Sequence, residues 1–206
     1  GCGMGRYTGL VAELGGIAVG LDVSEAVRKA AEMWPHANFV QADLVAAPFS
    51  QGVFDTVYSF GVLHHLPDPL RGFRACFDLV RPGGVLLVWV YSEKDSILRS
   101  VRKTIRRLVK KAPVLRRPIA WTSAGGLWLL LVVGARVLGP RFARLPFYSD
   151  KNLKQLHVDC FDALAAPYES YLSSGDCKRW LDSVSATESG FDLRADGTGW
   201  VIWAIR

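Results

Sequence analysis

With 206 residues, half of them hydrophobic and 21% charged, the chain can bury one sizeable globular core and is neither a disordered polyelectrolyte nor a low-complexity polymer. Four cysteines at positions 2, 76, 160 and 177 share no paired or metal-ligand spacing. This argues against a disulfide framework and a metal site, and for a reducing, cytoplasmic setting. Residues 99–117 hold nine Lys or Arg and no acid, so without them the net charge of +6 becomes −3 and the basic character belongs to one segment.

In chain order, Gly1-Cys2-Gly3-Met4-Gly5 places glycines at alternate positions, where a backbone can turn tightly and let a ligand lie against bare main chain. Arg6 to Leu14 reads as a first helix with Leu10, Val11 and Leu14 on one face. Ile17-Ala18-Val19-Gly20-Leu21-Asp22 is an apolar strand ending in an acid. Ser24 is a good N-cap for a helix to about Met33, and Asn38-Phe39-Val40-Gln41-Ala42-Asp43-Leu44 is a second strand ending in an acid. Phe54 to Phe60 is a third strand, running into Gly61-Val62-Leu63-His64-His65-Leu66. Asp68-Pro69 starts a helix to about Val80, which Arg81-Pro82-Gly83-Gly84 stops ahead of the strand Val85 to Tyr91. Alternating strands and helices over 1–92 imply a parallel sheet covered on both faces.

The alternation then ceases. Residues 93–150 read as helical, first basic with the stripe Leu98, Val101, Ile105, Leu108 and Val109, then uncharged for 18 residues from Pro118 to Ala135. From 151 the chain is mixed again, with a helix from Asp176 to about Ser185 and a closing strand pair at Phe191–Leu193 and Gly199–Ala204. Three parts result: an α/β core over 1–92, a helical cap or insertion over 93–150, and a substrate-side segment over 151–206 that completes the core.

The glycine run, the two strand-ending acids and the Gly-Val-Leu-His-His-Leu string together resemble the class I S-adenosylmethionine-dependent methyltransferases, in particular those of bacteria that act on small molecules. The resemblance covers residues 1–92 closely and 160–206 more loosely. It implies a Rossmann-like α/β fold whose sheet is mostly parallel with an antiparallel last strand. In that family a strand ending in an acid precedes the glycine loop, so the chain reads as beginning inside its cofactor loop with the first, central strand missing.

The resemblance also implies a site for S-adenosyl-L-methionine. Gly1, Cys2, Gly3 and Gly5 would lie beside its methionine and ribose. Asp22, with Val23 after it, would accept from the ribose hydroxyls, as an acid does in NAD enzymes too. Asp43 and the Leu44 N–H would meet the adenine, and Phe60 and Gly61 would face the sulfur. His65 is the candidate general base, and His64, His157, Tyr168 and Tyr171 are candidates for the acceptor side. The string Phe60-Gly61-Val62-Leu63 stands where nucleobase amino-methyltransferases carry Asn/Asp-Pro-Pro-aromatic, and no cysteine follows a proline, so nucleic acid is disfavoured as substrate.

These readings combine into methyl transfer to a small-molecule acceptor at O, N or C by in-line displacement. Two alternatives keep the fold: a catalytically silent binding module, and a membrane-surface enzyme for a quinone or lipid-like acceptor, with peripheral contact through residues 98–135. An NAD-dependent oxidoreductase is a further alternative, weakened by the Arg at position 6 where a third spaced glycine would stand. Acceptor identity and oligomeric state are not legible in the sequence.

Overall fold

A computed structural model describes residues 1–93, 104–107, 109, 111–137, 153, 156–157, 160–161, 164, 166–195 and 197–206. They fall into two compact units, Gly1–Lys94 with Tyr168–Arg206, and Asp95–Pro167.

The first unit is α/β. Its elements are α1 (Arg6–Glu13), β1 (Val19–Asp22), α2 (Ala26–Met33), β2 (Asn38–Gln41), β3 (Phe54–Phe60), α3 (Pro69–Leu79), β4 (Val80–Tyr91), a later helix Ser174–Asp182, β5 (Glu188–Leu193) and β6 (Gly199–Ile205). β1 pairs with β2 in parallel, and β3 with β4 in parallel. β6 runs antiparallel between β4 and β5. The order is therefore β1-β2 in one sheet and β3-β4-β6-β5 in another. Between the free edges of β1 and β3 lies a cavity of about 130 Å³, lined by Val19, Gly20 and Leu21 on one side and Thr56 to Ser59 on the other.

The core sits on the four-stranded sheet. Alternate residues of β4, namely Leu86, Val88 and Val90, point inward with Ile202 and Ala204 of β6, as the two-residue period of a strand requires. Phe73, Cys76 and Phe77 of α3 cover them, and Phe73 meets Trp180 of the later helix at a ring distance of 5.3 Å. The Asp68 carboxylate accepts from Arg71 N at 3.0 Å with Pro69 at the first helical position, so α3 starts where its cap predicts. The Ser174–Asp182 helix begins two residues earlier than its apolar pattern suggests. Its Ser173 hydroxyl and Asp176 carboxylate form a reciprocal capping box.

Two expectations are revised. β4 begins at Val80 rather than Val85: Phe54 pairs with Val80 and Thr56 with Val85, so Arg81 to Gly84 form an irregularity within the strand instead of a turn before it. Gly83 N donates to Arg206 O, and Arg206 N to Gly84 O, which ties this stretch to the chain's end. In α1 the apolar set does not face the interior. Leu10, Val11 and Leu14 are exposed, whereas Thr8 and Gly9 are buried. Gly9 lets the Trp34 indole lie against the helix, since a Cβ there would come within 2.1 Å of the ring. Close approach of backbone to ring decided the face, not hydrophobicity.

In the second unit a 3-10 turn, Pro113–Leu115, leads into α4 (Arg116–Val137), whose buried Ala124 packs with Leu153, Leu156 and Cys160. Of the sequence stripe, Val109 is buried and Ile105 half-buried; Leu98, Val101 and Leu108 lie outside the described residues. The helix Ser174–Asp182 is α5 below.

Phe73 is fully buried at the centre of the packed layer. Phe73→Ala is expected to lower the unfolding free energy by about 3–5 kcal/mol, read by urea denaturation, whereas Arg74→Ala on the exposed side of the same helix changes it by less than about 0.5 kcal/mol.

Candidate functional site

The glycine loop closes over the carboxyl end of β1. Gly1 N and Cys2 N both donate to Leu21 O, at 2.6 and 2.8 Å. Gly3 N donates to Asp22 Oδ2 at 2.7 Å. Asp22 Oδ1 accepts from Ser24 N at 2.9 Å and from Ser24 Oγ at 2.7 Å. Ser24, expected as a helix cap, donates its hydroxyl proton to Asp22 while its oxygen accepts from Ala26 N at 3.4 Å, where α2 starts.

Three glycines of the loop act differently. Gly3 has φ +52° with open space where a Cβ would stand. Gly5 has φ +76° and is pressed against Phe39 and Ala30, so a side chain there would collide. A Cβ on Gly1 would fall 2.4 Å from Val62, the second residue after β3. The loop thus spans the carboxyl ends of β1 and β3, where open α/β sheets bind ligands. Cys2 is half-buried and lines the cavity; burial pushes its thiol up from the ordinary value.

Burial also acts to raise the Asp22 pKa, but the hydrogen bonds from Ser24 N, Gly3 N and Ser24 Oγ outweigh it and hold the carboxyl below its ordinary 3.8. Val23 is exposed beside it, with its carbonyl accepting from Gln41 Nε2 at 3.2 Å. Asp43 follows β2, the neighbour of β1. One carboxylate oxygen caps the turn Leu44–Ala46 by accepting from Val45 N at 3.0 Å, and Leu44 lines the cavity. Phe60 ends β3 between Tyr58, stacked at 5.4 Å, and Tyr7, edge-on at 5.5 Å. Gly61 has φ +77° and packs against Trp89.

The two histidines separate. His64 is fully buried, its ring 3.9 Å from that of Tyr91, and its carbonyl accepts from Ser170 N at 2.8 Å and Ser170 Oγ at 3.1 Å. Its side chain has no exposed surface, and its ring also lies 4.2 Å from that of His65. His65 is only partly buried, and its Nδ1 lies 2.9 Å from Tyr168 O. A carbonyl oxygen only accepts, so in the neutral ring Nδ1 carries the proton and Nε2 keeps the lone pair.

Residues 168–172 run along the carboxyl ends of β3 and β4. Leu172 N donates to Tyr91 O, Glu93 N to Leu172 O, and Tyr171 stacks on Tyr91 at 5.9 Å. The Tyr168 ring is exposed. His157 belongs to the second unit, stacked on Trp121 at 4.0 Å. Sequence reasoning missed Tyr91 and Ser170. Tyr91 ends a predicted parallel strand, and that position alone could have marked it.

Because the folded Asp22 pKa is depressed, its contribution to stability is present above the unfolded value, about 3.9. It is lost as pH falls through the lower folded value. Wild type is expected to lose melting temperature between about pH 5 and pH 2 and Asp22→Asn to flatten that decline, with thermal melts by circular dichroism as the readout.

Residues 1–88 match the family model described as "Methyltransferase domain". An uncharacterized protein of Synechococcus sp. is 27% identical over 94% of this chain and 48% of its own length. A probable S-adenosylmethionine-dependent methyltransferase of Mycolicibacterium smegmatis is 35% identical over 43% of this chain and 35% of its own. The chain thus spans half or less of these relatives. A methyltransferase structure from Thermotoga maritima, titled a possible histamine N-methyltransferase, superposes with TM-score 0.55 over 99% of this chain and 78% of its own, at 11% identity, a likeness of fold. A glycine loop held by a strand-ending acid and a matching family model agree over the same residues: residues 1–88 are a methyltransferase domain, similar to that of S-adenosylmethionine-dependent methyltransferases, and the α/β unit shares their fold.

Proposed function

We propose that the protein transfers the methyl group of S-adenosyl-L-methionine to a small-molecule acceptor. The observation that carries this reading is the Gly3 N to Asp22 Oδ2 hydrogen bond of 2.7 Å, which fixes the loop across the ends of β1 and β3.

The residues present fit the cofactor. Gly3 offers bare backbone with open space above it. Asp22 stays ionised at neutral pH and Oδ2, with one loop N–H already bound, has a lone pair left for a ribose hydroxyl. The second oxygen of Asp43 takes no hydrogen bond from the described residues, so it can accept from an amino group at the adenine edge. The cofactor supplies a methyl group already activated by a positive sulfur, so the protein's task is alignment and exclusion of water.

Gly61 and the aromatic pair Tyr58–Phe60 bound the end of β3, and the 168–172 strap with Tyr91 and Tyr171 walls the neighbouring strand end. His65 stands at this wall. Its Nδ1–H is committed to Tyr168 O, which orients Nε2 to take a proton from an acceptor hydroxyl or amine.

Calorimetric titration with S-adenosylhomocysteine tests the reading. Wild type is expected to bind at micromolar concentration, and Asp22→Ala to bind about 10- to 150-fold more weakly, the value of hydrogen bonds to a charged group. Asp43→Asn tests the adenine end without disturbing the loop. Absence of binding by the folded protein would overturn the reading. Once an acceptor is in hand, His65→Gln is expected to lower kcat by about 10²-fold or more and to remove the acid limb of the pH–rate profile; an unchanged profile would exclude His65 as the base.

A further inference from the structure

Helix α4 is apolar on two sides. Its buried side carries Ala120 and Ala124, both with no exposed surface. On another side Trp121, Trp128 and Leu129 remain 46%, 41% and 57% exposed, and Val114 in the preceding turn is 82% exposed. Trp121 and Trp128 are seven residues apart, so they stand in one row about 10 Å long. Between them Gly125 has open space where a Cβ would be, and the Trp121 ring, with His157 stacked on one face at 4.0 Å, stays partly exposed. Two tryptophans and two aliphatic side chains in one exposed stretch exceed the scattered apolar exposure of an ordinary surface.

The stretch of sequence that carries this face has charge of one sign. Residues 96–149 contain twelve Lys or Arg and no Asp or Glu. Arg107, Lys111 and Arg117, close in sequence to the apolar row, are exposed. A second copy of the same face would set like charges against each other. A nucleic acid would satisfy the cations and leave the indoles and aliphatics in water. An anionic lipid surface satisfies both, because phosphates meet the cations while the indoles enter the headgroup layer. Among the described residues no helix is long and apolar enough to cross a membrane, so the face lies on the surface rather than through it.

We propose that the exposed face of α4, with Val114, Trp121, Trp128 and Leu129 at its centre and Arg107, Lys111 and Arg117 beside it, docks onto an anionic lipid surface. The proposal is independent of the methyl-transfer reading and stands or falls without it. Sedimentation of the full chain with vesicles tests it. Binding is expected to vesicles of phosphatidylcholine with one-third phosphatidylglycerol, to be weak on phosphatidylcholine alone, and to fall with added salt. The triple variant Arg107→Gln, Lys111→Gln and Arg117→Gln should weaken it about fivefold for each cation removed, the factor equivalent to about 1 kcal/mol per charge. Trp128→Ser with Leu129→Ser, two exposed side chains, should weaken it about tenfold or more while circular dichroism stays unchanged. Four outcomes would overturn it: no binding to the anionic vesicles, equal binding to both vesicles, variants that bind as wild type does, or self-association abolished by Trp128→Ser in place of vesicle binding.

Discussion

The hydrogen bond from the Gly3 amide to the Asp22 carboxylate organises the first unit of the molecule. It joins a loop with left-handed glycines to the end of the first strand, and the same carboxylate gathers Ser24 at the start of the next helix. Loop, strand end and helix start are thus held by one charged group, whose ionised form is stabilised by the bonds it accepts. Gly5, locked between Phe39 and Ala30, transmits this arrangement to α2 and β2. Gly1 against Val62 carries it across to β3.

What was legible in the sequence follows from this. Acids at strand ends and glycines at alternate positions are local signals, and each sits where the local pattern places it. The antiparallel closing strand was legible through the family resemblance; the order of the strands was not. The face of α1 was not, because periodicity reports which residues are apolar and says nothing of Trp34 arriving 25 residues later to lie on Gly9. The start of β4 was hidden for a similar reason. Pro82-Gly83-Gly84 reads as a turn until the distant Arg206 pairs with it. His64 and His65 are adjacent and identical in sequence, yet one is core and the other stands at a wall, a difference set by the 168–172 strap more than a hundred residues away.

The residues proposed for the site divide by how much of the fold supports them. Those proposed for the cofactor rest on short-range geometry within residues 1–62. Those proposed for the acceptor rest on a segment far along the chain, laid over β3 and β4 by backbone pairing with Tyr91 and Glu93 and by the Trp200 indole donating to Leu172 O at 2.8 Å. On that proposal the strap can vary while the glycine loop stays as it is, as expected where function is set by sites grafted on a common scaffold.

The strap over β3 and β4 has a kinetic meaning. Its hydrogen bonds join Leu172 to Tyr91 and Ser170 to His64, the latter 106 positions apart in the chain, whereas the bond from Gly3 to Asp22 spans 19. Closing the longer loop costs more chain entropy, so the glycine loop can order before the strap is laid down.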